Sequence, residues 1–290
     1  MFLLYINDII NSSKLLKFVL FADDSTLYAS HSDLNYLISS VNQEITYVKQ
    51  WIDANKLTLN VKKTHYIIFA RLRKKISIEP IIKINNDTLN RVYDTKFLGV
   101  TLDSHLSWKP HINCMVQKIN KQCGILYLTR NKLNSASLKL VYQSLVHPII
   151  TYCSLAWAGI SNDQLKAINI AHKKVIRTIT YLRKYDHTNQ SYKDLELLKF
   201  YDIIKLRYAI CAFKSVNNQN DHNFRSRVNS TYNLRNSSIL VPPLMRSSQS
   251  QSSALYQGVQ VWNSIPQAIR SKPSIASFKK ALKNHYLSNY

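Results

Sequence analysis

Two short β-prone runs, Lys17 to Phe21 and Thr26 to Ser30, flank the tetrapeptide Ala22-Asp23-Asp24-Ser25. Apolar or β-branched runs on either side of a polar connection predict a β-hairpin, here with acids at its tip. The period then changes. After Asp33, residues Leu34, Leu37, Ile38, Val41, Ile45, Val48, Trp51 and Ile52 recur at helical spacing, and Asn55 to Leu59 closes the stretch. Thr64 to Phe69 reads as a strand, and Ile81 to Ile84 and Phe97 to Leu102 as two more.

From about Leu106 to Asn217 the pattern is almost wholly helical. One helix is predicted from Lys109 to about Asn131. A second is capped by Ser135 and kinked or interrupted at Pro148. A third starts at Asn162 or Asp163 and runs to about Lys184, and a fourth spans Tyr192 to Val216. Each carries an apolar stripe, and stripes of this kind pack helices into a bundle. After Asn217 the chain turns polar, and Ser247 to Ser253 is rich in Ser and Gln; both segments read as loops. A last compact piece, Ala254 to Tyr290, ends in an amphipathic basic helix from Ser274. The expected class is α+β: a mixed region over 1–105, a helical region over 106–217 and a C-terminal extension over 218–290.

Charge sharpens this division. The 290 residues carry a formal net charge of +23. Residues 1–105 hold 13 Lys/Arg against 10 Asp/Glu, whereas 106–290 hold 26 against 6, so almost all the excess lies in the second region. A field of that sign favours a polyanion, foremost nucleic acid. An anionic membrane surface would satisfy the same charge, and a solvated basic surface kept for solubility is the plainer reading. Apolar residues make up 46% of the chain, which excludes a disordered tail. Cys114, Cys123, Cys153 and Cys211 form no C-x-x-C pair, so a structural zinc site is not expected, and reduced, mostly buried thiols in an intracellular protein are. Met1 to Ile10 lacks a basic leader and contains Asp8, unlike a signal peptide, and no apolar run reaches membrane-spanning length.

Adjacent carboxylates at a hairpin tip repel each other unless a cation offsets them, and hard Mg²⁺ takes carboxylate oxygens while keeping positions for water and phosphate. An ordinary Asp-Asp turn is the plainer reading of the dipeptide alone. Its surroundings favour the metal. Phe21-Ala22-Asp23-Asp24 resembles the F/Y-x-D-D catalytic hairpin of reverse transcriptases, in the form seen in jockey-like non-LTR retrotransposons. Phe2-Leu3-Leu4-Tyr5-Ile6-Asn7-Asp8-Ile9 resembles the segment these enzymes place before the hairpin. Trp51 with Asn60, Lys63 and Thr64, then Phe97-Leu98-Gly99-Val100 with Leu102 and Asp103, then Trp108 with His111, resemble the motifs that follow. Trp262-Asn263-Ser264-Ile265-Pro266 with Phe278-Lys279 resembles the family's ending. The matches, in family order, run along nearly the whole chain.

The resemblance implies an RNA-directed DNA polymerase: a partial palm over 1–105, a thumb-like helical domain over 106–217 and an extension over 218–290. Asp23 and Asp24 would hold Mg²⁺, with Asp23 facing the metal. Lys63 would act near the incoming nucleotide, against a plain surface lysine beside Lys62. Gly99 would permit a close backbone approach, and Asn60 and Thr64 would shape a turn. Lys173, Lys174, Arg177, Arg183 and Lys184, spread along one helix, would track phosphates, with Lys173, Arg177 and Lys184 on one face. Arg225, Arg227 and Arg235 would add backbone contacts. The partners implied are an RNA template and a DNA primer, with dNTP only if the rest of the palm is supplied. A complete enzyme has fingers and an earlier palm strand with a third metal-binding aspartate, which these residues lack, so no polymerase activity is expected from this chain alone. Two other readings stand beside this one: a non-catalytic basic nucleic-acid-binding remnant, and a helical bundle whose charge serves solubility.

Overall fold

A computed structural model of the chain describes residues 2–71, 76, 80–217 and 239–290. It divides into two compact units, Met1–Leu106 and Ser107–Tyr290.

The first unit opens with α1 (Phe2–Ile6) and a 3₁₀ turn over Asn7–Ser12. The hairpin β1 (Lys17–Phe21) and β2 (Asp24–Tyr28) follows, then the long helix α2 (Leu34–Ala54). Asp33 caps α2 as its position predicts: its carboxylate accepts the amides of Asn35 and Tyr36. Among the described residues six short strands follow: β3 (His65–Tyr66), β4 (Lys83–Ile84), β5 (Asp87–Thr88), β6 (Asn90–Arg91), β7 (Asp94–Phe97) and β8 (Val100–Asp103). They pair two by two, β3 parallel to β6 and the other pairs antiparallel. Helix α2 is the spine. Val48 and Ile52 meet Ile6, Ile9 and Leu16 in one cluster, and Val41 and Ile45 cover Ile82, Ile84 and Leu89 in another.

Two strand expectations need correction. The run Thr64 to Phe69 forms a ladder only at His65 and Tyr66, because β6 offers partners to those two residues alone. Phe97 to Leu102 is not one strand. Leu98 (φ 45°) and Gly99 (φ 83°) connect β7 to β8, with Phe97 opposite Val100. Two consecutive positive φ values characterise the tightest hairpin connection, where glycine is favoured. Gly99 is therefore a turn glycine and not a strand glycine.

The second unit is helical: α3 (Lys109–Thr129), α4 (Ser135–Leu145), α5 (His147–Thr151), α6 (Ser154–Trp157), α7 (Asn162–Ile179), α8 (Asn189–Asp194), α9 (Phe200–Val216), α10 (Ser248–Gln251), α11 (Ala254–Ser264), α12 (Gln267–Arg270) and α13 (Ile275–Ser288). Asn134, not Ser135, caps α4, its side chain accepting the amide of Ser137 at 2.8 Å. Pro148 lies in the first turn of α5, just past the break that it was expected to cause. The third predicted helix stops at Ile179, five residues early, and Tyr181 follows with a φ of 57°. The fourth is two helices, α8 and α9, parted by a turn in which Glu196 has a φ of 50°. Within the expected Ser-Gln loop, α10 forms a single turn. The main core is built on Ile119, Leu126, Ile150, Trp157, Ile168 and Ile176, all fully buried. A second cluster joins α9 to the C-terminal helices, with the Phe213 and Phe278 rings stacked at 4.6 Å and Trp262 beside them.

Candidate functional site

The hairpin that carries the acids is built by alternation. Phe18, Leu20 and Leu27 turn inward onto the cluster around Ile6, Ile9 and Leu16. Lys17, Val19 and Phe21 lie on the exposed face. Ala22 and Asp23 make the connection and Asp24 begins β2 opposite Phe21. Ala22 has a φ of 51°, the left-handed region that glycine fills more cheaply. Strained backbone of this kind concentrates at functional sites. Asp23 and Asp24 are both exposed at the tip.

Two carboxylates with open surroundings suit one Mg²⁺, which commonly takes one or two protein carboxylates and completes its shell with water and phosphate. A two-ion clamp needs more. Among the described residues no group of three or more His, Cys, Asp or Glu side chains converges to hold a metal. The two hairpin carboxylates by themselves fall short of that two-ion clamp.

The entry to the hairpin is held from α2. Glu44 accepts the hydroxyl of Ser13 and the amides of Lys14, at 3.0 Å, and Leu15, at 3.5 Å. The Ser13 hydrogen bond, opposed by partial desolvation and reinforced by the two amides and the Lys14 charge, holds the Glu44 carboxyl below its usual range. Tyr5 fixes the preceding segment by donating its hydroxyl to the Asn55 carbonyl at the end of α2. Sequence patterning does not reveal Glu44, which lies 30 residues from its amide partner.

Lys63 is exposed at the end of the 3₁₀ turn Val61–Lys63. Asn60 and Thr64 shape that turn: the Asn60 side chain accepts the Lys63 amide at 3.3 Å, and the Thr64 hydroxyl donates to the Asn60 carbonyl at 2.9 Å. The described ion pairs, Lys49–Asp53, Lys139–Glu196 and Lys205–Asp202, include neither Lys63 nor the hairpin acids.

In the second unit the basic set separates into two groups. Lys173, Lys174 and Arg177 lie on α7, with Lys174 exposed and the other two half-buried. Arg183 and Lys184 lie beyond its end, so Lys184 shares no helix face with Lys173 and Arg177. The reason is the left-handed turn at Tyr181. Arg177 braces the following segment by donating Nε to the Asp186 carbonyl at 3.1 Å, while the Asp186 carboxylate accepts the Arg183 amide at 2.7 Å. Arg225, Arg227 and Arg235 lie outside the described residues.

On the buried side of α7, His172 is fully buried, with Nε2 2.7 Å from the Tyr142 hydroxyl and Nδ1 3.2 Å from that of Tyr192. Burial, aided by the charge of His147, lowers its pKa to about 3, so the imidazole is neutral and each ring nitrogen has a hydroxyl partner. It is a core residue. His111 is likewise buried, 6.1 Å from the Trp157 ring, with its pKa lowered by desolvation first and the Lys118 charge second. The Trp262-Asn263 pair is also structural. Asn263 donates Nδ2 to the Leu240 carbonyl at 2.9 Å, and its Oδ1 accepts the Leu240 amide at 3.0 Å. Cys123 and Cys211 are buried, Cys114 is half-buried and Cys153 exposed, and all four are free thiols.

Sequence comparison now adds to this geometry. The chain is 23% identical over 185 residues to the RNA-directed DNA polymerase from mobile element jockey of Drosophila melanogaster, covering 63% of the chain and 20% of that protein. It is similar in sequence to jockey-type RNA-directed DNA polymerases. A probable RNA-directed DNA polymerase from transposon BS of the same species is 24% identical over 180 residues, 61% of this chain and 20% of that one. The jockey polymerase of Drosophila funebris is 23% identical over 189 residues, 64% and 20%. The chain spans about a fifth of the length of the curated relatives it matches. No family model and no solved structure matches it. No helix among the described residues is long and apolar enough to cross a membrane.

Proposed function

We propose that this chain is part of an RNA-directed DNA polymerase of a non-LTR retrotransposon, supplying one catalytic carboxylate pair and a basic helical surface for the primer and template. The observation that carries the reading is the Phe21-Ala22-Asp23-Asp24 hairpin, with both acids exposed at a strained tip, in a chain similar to jockey-type polymerases. Residues 1–105 act as a partial palm, residues 106–217 as a thumb-like bundle and residues 218–290 as a C-terminal extension. Asp23 and Asp24 would hold Mg²⁺, which when bound neutralises phosphate charge at the point of nucleotide transfer. Lys63, exposed at the end of its turn, would act on a leaving pyrophosphate by charge or proton donation. Gly99 keeps its hairpin turn narrow beside nucleic acid, and Lys173, Lys174, Arg177, Arg183 and Lys184 contribute positive charge for backbone phosphates.

The hairpin supplies two carboxylates and a two-ion clamp needs further ligands, so on this reading the chain alone does not extend a primer. The test is extension on an RNA template by two proteins. The chain by itself should give none. Joined behind the preceding part of a jockey polymerase, it should give Mg²⁺-dependent product that Asp23→Ala abolishes. Extension by the isolated chain, lost in Asp23→Ala, overturns the incompleteness. A joined protein whose activity ignores Asp23→Ala overturns the polymerase reading.

A further inference from the structure

The second unit carries an aromatic surface that the basic residues on α7 do not account for. Arg130, just past the end of α3, places its Cζ 4.4 Å from the ring centroid of Tyr127 and 4.8 Å from that of Tyr181. The arrangement is fixed from several sides. The Tyr181 hydroxyl donates to the Arg130 carbonyl at 2.6 Å, and Arg130 Nη1 donates to the Thr178 carbonyl at 3.5 Å. Tyr181 holds its position through a left-handed backbone, and the Leu182 amide closes the turn onto Arg177. Both rings nevertheless remain open to solvent, Tyr127 at 58% and Tyr181 at 56% of their full exposure. A few residues on, Lys184 Nζ lies 5.2 Å from the centroid of the still more exposed Tyr185 ring.

Two features select the ligand. The rings are exposed, clamped against cations and presented on braced backbone, which suits flat partners. The surrounding charge is positive: the unit carries a net +20, Lys132, Lys174 and Arg183 are exposed nearby, and Arg130 takes part in none of the described ion pairs. The nearest acid in sequence, Asp186, is engaged with the Arg183 amide. A duplex offers phosphates here but keeps its bases stacked inside. Single-stranded nucleic acid offers both phosphates and free base faces.

We propose that Tyr127, Arg130 and Tyr181 form a stacking platform for unpaired nucleobases, so that this end of the second unit binds single-stranded nucleic acid. The inference deepens the nucleic-acid reading above and rests on it for the ligand class.

The experiment measures binding of the full chain at low salt to three fluorescent probes: oligothymidylate, an abasic strand of equal length and charge, and a duplex. The wild type should prefer oligothymidylate to the abasic strand. Tyr127→Ala and Tyr181→Ala should each weaken oligothymidylate binding by about fivefold or more. Both should change abasic and duplex binding by less than about twofold. Tyr127→Phe keeps the ring and should retain wild-type affinity, which separates loss of stacking from loss of fold. Equal losses on all three probes, or no loss on oligothymidylate, overturn the platform while leaving nucleic-acid binding intact. Absence of binding to every probe overturns both readings. Competition by polyglutamate as effective as by oligothymidylate assigns the surface to acidic peptides and overturns it as well.

Discussion

The carboxylate of Glu44 accepts the backbone amide of Lys14 at 3.0 Å, and through this contact α2 holds the chain as it enters the acid-bearing hairpin. The same carboxylate takes the Ser13 hydroxyl and approaches the Leu15 amide. Its pKa is lowered in the folded protein, so its contribution is present above the unfolded carboxylate value of about 4.3 and is lost as pH falls through the lower folded value. Glu44→Gln should therefore lower the urea midpoint of the first unit at pH 7 and flatten its decline below pH 4. Equal acid sensitivity in the variant and the wild type would remove the anchoring role.

His172 gives a second pH-dependent term, in the second unit. Its folded pKa of about 3 lies below the unfolded value of about 6.5. Between those values the unfolded chain binds a proton that the native chain refuses, so stability is full above about pH 6.5 and falls as pH falls towards 3. Tyr142→Phe strips the partner from Nε2 and should cost about 1–3 kcal/mol at pH 7. Denaturant titrations at pH 7 and pH 5 check both statements, and His172→Phe should reduce the difference between them.

Two glycines of the second unit should respond oppositely to alanine. A Cβ at Gly124, exposed within α3, meets nothing within 4 Å. Gly124→Ala should therefore stabilise by about 0.5–1 kcal/mol through helix propensity and reduced unfolded-state freedom. A Cβ at Gly159 would lie 1.7 Å from the Ser252 carbonyl oxygen, so Gly159→Ala must push the two backbones apart and should cost about 1–3 kcal/mol. Thermal unfolding of the two variants should move in opposite directions.

Phe278 is fully buried between Phe213 and Trp262. Phe278→Ala should cost about 3–5 kcal/mol. Limited proteolysis should then cut the C-terminal helices before α9, whereas an unchanged digestion pattern would mean that the stack does not secure them.

The hairpin and α2 were legible because their signals are local: period two on either side of a polar tip, and a capping aspartate before a period near 3.6. The breaks that were missed share one cause. Leu98, Tyr181 and Glu196 all take left-handed backbone without being glycine. The chain has only 4 glycines: Tyr181 and Glu196 turn with no turn signature, and at Leu98 the one signal is the following Gly99. The regrouping of Arg183 and Lys184 follows from the same effect. The acid pair was legible as a motif. Glu44, Arg130 and Tyr127 were not, because their roles come from partners distant in sequence or from the end of a helix that was placed too late.

Asn263 binds both backbone groups of Leu240, and the Phe213–Phe278 stack fastens α13 to α9. Either end of the stretch from Asn217 to Ile239 is thus tethered by side chains, independently of the peptide linkage between them. The C-terminal helices should therefore stay bound to α9 through these side chains even without a continuous chain, so that two fragments, one ending at Asn217 and one starting at Ile239, should co-purify.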